Sequence, residues 1–411
     1  MIIAADLVCW GSQHVLFNAG TLQTILAAFP DENVAFFGEE SHIELIQKQM
    51  GPEAANISWT PIRIAERQAQ YFRRLRSELN ILKTLFKVLS PGSDHRVVLL
   101  ASMTSTLLAL KLNQKRLPTG TPIQIVLHGG LSGLGQTRSL HPIRRLKDAK
   151  TAITLWGRQN IQYLVLEENI RDLILTRLPF LSGRVGVLEH PSTPGEFAYE
   201  SISLQYPIRF GFLGLANRQK GFTNFVELAA EAVRNHGRRV EFHALGRSAQ
   251  NMRAIPGLNA LTSQPAAQHL SRDAYMDGLK QLHFAVLPYS LGHYELSPSG
   301  ALLDALAWGK PIIATRIPMF QNLFRKYGDL GYLFSTQAEL KEIVDTIVSH
   351  PDPAAYQVQV SNLWKARAER TPAALAPAYR AICERAKNLP ENGAMHGSKT
   401  GFSFSFHRKE E

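Results

Sequence analysis

Several stretches of the chain place ionisable or anion-binding groups where chemistry is possible. In GLANRQKG (214–221), Arg218 and Lys220 stand beside Gly221, which leads into a helical pattern. Two cations at a helix start act on the same anion as the positive end of the helix, a clamp suited to a diphosphate. A solvated basic loop is the plainer reading of the same residues. In YELSPSGALLDALAWGKPIIAT (294–315), Ser297, Pro298, Ser299 and Gly300 form a helix entry. Its outward N–H groups either cap the helix or hold a phosphate. The helix carries Asp304, and Gly-Lys-Pro returns the chain to a β-branched strand. HGGLSGLG (128–135) follows the apolar run PIQIVL, so His128 falls at a strand's carboxyl end and Gly129 and Gly130 let a ligand approach the backbone. A hydrogen-bonded structural histidine is equally at home there. WGSQHVLFNAG (10–20) follows the first apolar run and offers Gly11, His14 and Asn18 on a second candidate loop.

The elements that must position these groups alternate. IIAADLV, ENVAFFG, RVVLLAS, PIQIVLHGG, YLVLEE and RVGVLEH read as strands, separated by helical stretches such as TLQTILAAF and SHIELIQKQM. Strands alternating with helices argue for a parallel sheet covered on both faces. HPSTPGEFAYESISLQYP (190–207), rich in Pro and Ser, interrupts the pattern and reads as a linker. After it come RFGFLG, a helix over about 223–235, RVEFHALG, a helix around 272–282, HFAVLPY, the helix carrying Asp304 and PIIAT. The simplest architecture is therefore α/β: two doubly wound Rossmann-like domains, 1–190 and 208–370, joined by a linker at 191–207 and facing a central cleft. Ligands of such sheets sit at the carboxyl ends of the strands. Residues 371–388 read as a last helix, and 389–411 carry Gly, Ser and charges without periodicity, as a disordered tail does.

With 411 residues, 45% of them hydrophobic and 19% charged, the chain is globular and long enough for two cores. It contains no apolar run of spanning length. The N-terminal MIIAADLVCWGSQ reads as a buried strand rather than a signal peptide. Cys9 and Cys383 lack disulfide or zinc spacing, which fits a cytoplasmic protein. No metal constellation is visible, and an Asp-x-Asp motif is absent.

At Lys220-Gly221 and the later Gly-Lys-Pro, the chain resembles the C-terminal domain of GT-B glycosyltransferases, nearest to the family 4 (group 1) type. That family's loop reads G-R-L-x-x-x-K-G; here Lys220 matches, Leu215 holds the usual Arg position, and Arg218 is the candidate substitute. The family's E-x(7)-E finds Asp304 at its second position and Leu296 at its first, with Glu295 one residue out of register. The resemblance implies transfer of a sugar from a nucleotide-diphosphate donor, such as a UDP- or GDP-sugar, with no further cofactor. It implies that Asp304 accepts from the ribose, that the backbone around Ser299 and Gly300 holds the diphosphate, and that His128 lies near the reacting sugar. A helix dipole with Lys and Arg would neutralise the departing diphosphate without a metal. Retention, the family's usual outcome, needs no strong base; inversion would draw on His128, His14 or Glu295.

The net charge of +11 needs an outlet. In IAERQAQYFRRLRSELNILKTLFKVLS (64–90), Phe72, Leu75, Leu79, Leu82, Phe86 and Leu89 form an apolar helical stripe. Arg67, Arg73, Arg74, Arg76, Lys83 and Lys87 occupy other positions, and RRLKDAK (144–150) adds a second basic cluster. A core-packed helix with a charged outer face explains this, and docking on anionic lipid is compatible with it. Bacterial enzymes of the resembled type often show such asymmetry, which suggests a lipid-linked or polysaccharide acceptor at the inner face of the plasma membrane. The rivals are a nucleotide-sugar epimerase of the same fold and a basic nucleic-acid-binding protein. Against nucleic acid, the basic residues are not interleaved with aromatics and no recognition helix appears.

Overall fold

The computed structural model describes residues 1–66, 68–89, 95–117, 121–128, 131, 134, 141–154, 160–192, 202–252, 255–268, 270–290, 296 and 298–387. Gly129, Gly130, Glu295 and Ser297, the cation of Arg67 and the tail from residue 388 onward lie outside them.

The first sheet is built from β1 (Ile2–Ala5), β2 (Val34–Gly38), β3 (Ile57–Pro61), β4 (Arg96–Leu99), β5 (Ile123–Val126), β6 (Ile161–Val165) and β7 (Val185–Val187). The helices of this half are α1 (Val15–Ala28), α2 (Glu40–Met50), α3 (Tyr71–Lys87), α4 (Thr104–Asn113), α5 (Pro142–Leu146), α6 (Ala149–Thr154) and α7 (Glu168–Arg177). The second sheet comprises β8 (Ile208–Leu213), β9 (Val240–Leu245), β10 (Phe284–Leu287), β11 (Ile312–Thr315) and β12 (Gly331–Phe334). Around it lie α8 (Phe222–His236), α9 (Arg272–Gln281), α10 (Gly300–Ala307), α11 (Pro318–Tyr327), α12 (Gln337–Ser349) and α13 (Pro353–Ala368), and α14 (Pro372–Lys387) ends the described chain.

Strand order is β3-β2-β1-β4-β5-β6-β7 in one sheet and β12-β11-β10-β8-β9 in the other. Every pairing is parallel. Both orders reverse direction at an internal strand, the switch point beside which doubly wound sheets bind ligands. The two-residue period of a strand divides each core cleanly. Ile3, Ala5, Val97 and Leu99 join one apolar cluster, whereas Ile2, Ala4, Val98 and Leu100 join the cluster on the opposite face. In the second sheet Phe210, Phe212, Phe284 and Val286 face one way, Ala285 and Leu287 the other.

The last helix, α14, returns to the first half of the molecule. Strands β5 and β6 carry Gln124 and Gln162 toward it, both fully buried, and an amide buried without partners is costly. Gln124 donates to Gln162 at 2.8 Å, Tyr379 donates its hydroxyl proton to Gln124 at 2.7 Å, and Gln162 donates to the Ile382 carbonyl at 3.2 Å. Arg380 also donates to the Ala28 carbonyl at the end of α1.

Two readings from sequence are corrected. Asn18 is not on a loop: α1 begins at Val15, and Asn18 lies fully buried in its first turn. The basic helix begins at Tyr71, and its buried face is Arg74, Glu78, Leu82, Leu85 and Phe86. Phe72, the first residue of the expected stripe, is 49% exposed. Arg74 is therefore no part of the outer basic face; it donates to the Met103 sulfur and to the Glu66 carbonyl. Glu78 accepts from Thr106 at 2.9 Å, and burial pushes its carboxyl up to about 7.

Candidate active site

In the second domain, the loop after β8 is shaped by Asn217. Its side-chain oxygen accepts from the Lys220 N–H at 2.8 Å and its carbonyl accepts from the Phe222 N–H at 3.1 Å. Gly221 precedes α8 with φ +71°, and a Cβ there would lie 1.8 Å from the Pro288 carbonyl oxygen, so only glycine fits. The turn folds Lys220 back over the strand end, where Nζ lies 3.4 Å from the Leu213 carbonyl oxygen and 5.9 Å from the centre of the Tyr289 ring. Arg218 is exposed on the same loop. Ser290, after β10, donates both its N–H and its hydroxyl to the Gln219 carbonyl, fastening the two loops together.

Tyr289 and Ser299 share a hydrogen bond at 2.7 Å. Ser299 caps α10, its hydroxyl accepting from the Leu302 N–H at 3.2 Å. The cap is thus real, and it occupies the side chain rather than the N–H groups of Gly300 and Ala301. Gly300 is exposed, and a Cβ there would meet nothing within 4 Å. One turn further on, Asp304 accepts from Tyr275 at 2.8 Å and from Arg272 at 3.4 Å, both on α9. Burial pushes Asp304 up and Lys220 down to about 8, and their mutual attraction opposes both shifts only in part. Desolvation thus disfavours the charged form of each group at this strand end.

Lys310 of the Gly-Lys-Pro turn belongs elsewhere. Gly309, at φ +55°, packs against Trp364, and buried Lys310 donates to the Lys280 and Leu282 carbonyls at 2.8 and 2.7 Å. It closes the end of α9, which holds Arg272 and Tyr275 toward Asp304.

In the first domain, three histidines gather at the carboxyl ends of the strands. The His14 and His128 rings are 4.0 Å apart edge to face, and His190, beyond β7, lies 5.8 Å from His128. Phe17 packs on both His128 and His190. Burial drives His128 well below the usual histidine range and His190 down to about 4. His14 reaches solvent, yet its packed surroundings still lower it. Burial thus disfavours the protonated form of all three, and His128 Nδ1 is buried without a hydrogen-bond partner among the described residues. Asn18 takes no part in this cluster. Its amide nitrogen donates to Asp6 Oδ2 at 2.7 Å and to His42 Nε2 at 2.8 Å.

Asp6, Cys9 and His42, whose spacing shows no metal pattern, present ligand-type atoms within 4.8 Å of one another. The Asn18 amide stands between two of them, and Asp6 Oδ1 accepts the Val8 and Cys9 N–H groups. The single lone pair that His42 Nε2 could give a cation is already used by the Asn18 amide.

The two halves meet at the site. Leu296, three residues before Ser299, is only 4% exposed and joins the first domain's apolar cluster. Where the resembled family has its first Glu, this chain therefore seats an apolar side chain. Behind the site Lys326 of α11 bridges Glu189 at 3.2 Å and Glu369 at 3.3 Å, and Arg370 reaches Glu189 at 3.5 Å. Of the residues expected from sequence, Lys220, Ser299, Gly300 and Asp304 come together in one domain and His14 and His128 in the other; Gly11 lies on the loop before His14. The sequence reading missed Asn217, Tyr275, Tyr289, His42 and Asp6. Only Asn217, a usual turn residue, carried a local signal.

Two parallel doubly wound domains with these strand-end loops form the GT-B fold of glycosyltransferases. Residues 207–350 match the family model of glycosyl transferases group 1, in agreement with the resemblance read from Lys220 and Asp304. Compared with curated protein sequences, the chain matches none significantly. Among solved structures, "Trehalose-6-phosphate from E. coli bound with UDP-2-fluoro glucose" is similar at TM-score 0.60 and 11% identity, covering 95% of this chain and all of that one. The lipopolysaccharide outer core galactosyltransferase WaaB in its apo form is similar at TM-score 0.60 and 12% identity, over 93% of this chain and 99% of that one. Anabaena Alr3699/HepE in complex with UDP matches at TM-score 0.58 and 11% identity, over 94% and 100%. At such identities the likeness concerns the fold.

Proposed function

We propose that the protein moves a sugar from a nucleotide-diphosphate donor to a hydroxyl of a lipid-linked or polysaccharide acceptor. The observation that carries this reading is the convergence of Lys220, the α10 N-terminus at Ser299–Gly300 and Asp304 at adjoining strand ends of one sheet. Lys220, Arg218 and the N–H groups of the first turn of α10 stabilise the leaving diphosphate in place of a metal ion. Asp304 exchanges its bonds to Tyr275 and Arg272 for the ribose hydroxyls. His128, its Nδ1 without a partner among the described residues, faces the reacting sugar across the cleft. The reaction runs with retention: a donor phosphate oxygen takes the acceptor's proton as the anomeric carbon develops positive charge. Solved proteins of this fold hold UDP or a UDP-sugar, which favours such a donor, and no other cofactor enters.

The acceptor assignment rests on α3. Arg73, Arg76, Lys83 and Lys87 are exposed along it, Phe72 and Val88 are exposed at its ends, and Lys147 lies 5.8 Å over the Phe72 ring. No described helix is long and apolar enough to cross a membrane, so contact with an anionic bilayer would be peripheral, on the cytoplasmic face. The segment preceding α3 adjoins the loop after β1, since Trp10 donates its ring N–H to the Ala65 carbonyl at 3.0 Å. Thermal melting with UDP, GDP, ADP, CMP and dTDP, each alone, tests the donor. Stabilisation by one nucleotide, followed by transfer from its sugar to a lipid-linked acceptor, is expected; no stabilisation by any of them defeats the reading.

A further inference from the structure

The buried Asp6–Asn18–His42 chain has no place in the donor chemistry, yet it ends on the loop that carries His14. Asp6 can only accept, and the Asn18 amide has two protons. One goes to Asp6 Oδ2 and the other to His42 Nε2. His42 Nε2 is thereby an acceptor, and its proton sits on Nδ1, which donates to the Gly11 carbonyl at 2.6 Å. The Gly11 N–H turns to Glu39, the cap of α2, at 3.4 Å. The Gly11 peptide is held from both sides, with Gly11 at φ +49°. Three residues on, His14 adopts φ +51°, the only non-glycine residue at positive φ among those described. Such a conformation persists where its surroundings over-determine it. It directs His14 edge-on against His128.

We propose that Asn18 and His42 are positioning residues of the transfer reaction. Asn18 fixes the Nδ1–H tautomer of His42, and that proton pins the Gly11 carbonyl so that His14 stays strained against His128. This rests on the glycosyltransferase reading for its catalytic consequence, though not for its structural one. It also gives Asp6 and His42 a purpose other than metal binding.

The test pairs His42→Asn with His42→Gln in the full chain. The asparagine amide nitrogen overlays Nδ1 and can still donate to Gly11, whereas the glutamine amide reaches the Nε2 position. His42→Asn should keep the close contact of His14 with His128, read as cross-peaks between the two imidazole rings by NMR; His42→Gln and Asn18→Leu should lose it. In wild type, nitrogen shifts should show His42 with its proton on Nδ1. With the donor identified, kcat should fall at least tenfold in His42→Gln and Asn18→Leu and recover in His42→Asn, while nucleotide-induced stabilisation stays unchanged in all three. Equal behaviour of the two His42 variants, or a wild-type His42 protonated on Nε2, overturns the inference. If no nucleotide stabilises the wild type, the donor reading fails while the ring contacts still decide the positioning.

Discussion

Raising the pH through 8 should loosen the nucleotide, and Lys220 sets both the midpoint and the slope. Burial brings its ammonium down to about 8 in the unliganded protein, whereas beside a diphosphate the charged form is favoured and the pKa rises again. Binding then takes up a proton at higher pH. Affinity is full below pH 8 and weakens about tenfold for each pH unit above it, until the pKa of the bound state is reached. The diphosphate's own ionisation, near pH ~6, is complete over this range. Lys220→Met removes a charge-assisted contact worth about 1.5–3 kcal/mol, so the dissociation constant should rise roughly ten- to a hundredfold at pH 7.5 and lose most of its pH slope. The same substitution should raise the melting temperature of the empty protein. A folded pKa below the unfolded 10.5 penalises the ammonium by up to about 3 kcal/mol, in full below pH 8 and vanishing by about pH 10.5. Titration calorimetry from pH 7 to 10 and melting without nucleotide measure the two effects. A wild-type dissociation constant that is flat with pH would refute the reasoning, as would a Lys220→Met protein that binds normally.

Other consequences are as concrete. Glu78, raised by burial to about 7, contributes stability in full below its unfolded pKa of 4.5 and loses it as pH rises through 7, so Glu78→Gln should stabilise the fold at pH 8 and not at pH 4.5 in urea titrations. Tyr379→Phe leaves the Gln124 carbonyl oxygen short of a donor and should cost about 1–3 kcal/mol of unfolding free energy, read from denaturant midpoints. Asp304→Ala should weaken nucleotide binding roughly tenfold through a lost charge-assisted bond, while Tyr275→Phe changes it by less than threefold; equal losses would place the binding group on Tyr275 instead. Replacing Arg73, Arg76, Lys83 and Lys87 with Glu should abolish sedimentation with anionic vesicles and leave melting with nucleotide unchanged.

The alternation of strands and helices was legible because central parallel strands are buried on both faces and read as short apolar runs. Of the edge strands, β7 and β9 still read as strands, whereas β3 did not: it buries only Ile57 of its five residues, and Ser, Thr and Pro interrupt any apolar run. The donor-side site was legible where chemistry and turn residues coincide, at Lys220-Gly221 and Ser299-Gly300. It stopped there because the remaining partners are distant in sequence: Tyr275 stands 29 residues from Asp304, and Tyr289 looked like the end of a strand. Arg74 and Glu78 resembled surface charges, since their partners, Met103 and Thr106, belong to a different helix. Asn18 was singled out, but as a loop residue rather than as the buried partner of Asp6 and His42, and His42 gave no signal at all. A lone histidine among polar neighbours acquires meaning only when β1 and α2 bring Asp6 and Gly11 beside it.

The return of α14 to the first sheet bears on how the protein is made. Gln124 and Gln162 are translated early, but Tyr379 and the Ile382 carbonyl that satisfy them emerge more than 200 residues later. During synthesis the part of that sheet face which α14 covers, around Gln124 and Gln162, therefore stays open until the last helix emerges, although α1 and α2 already cover the rest. A stalled or truncated chain lacking its last helix would be a half-clad protein, recognisable to chaperones by the apolar and amide surface around β5 and β6.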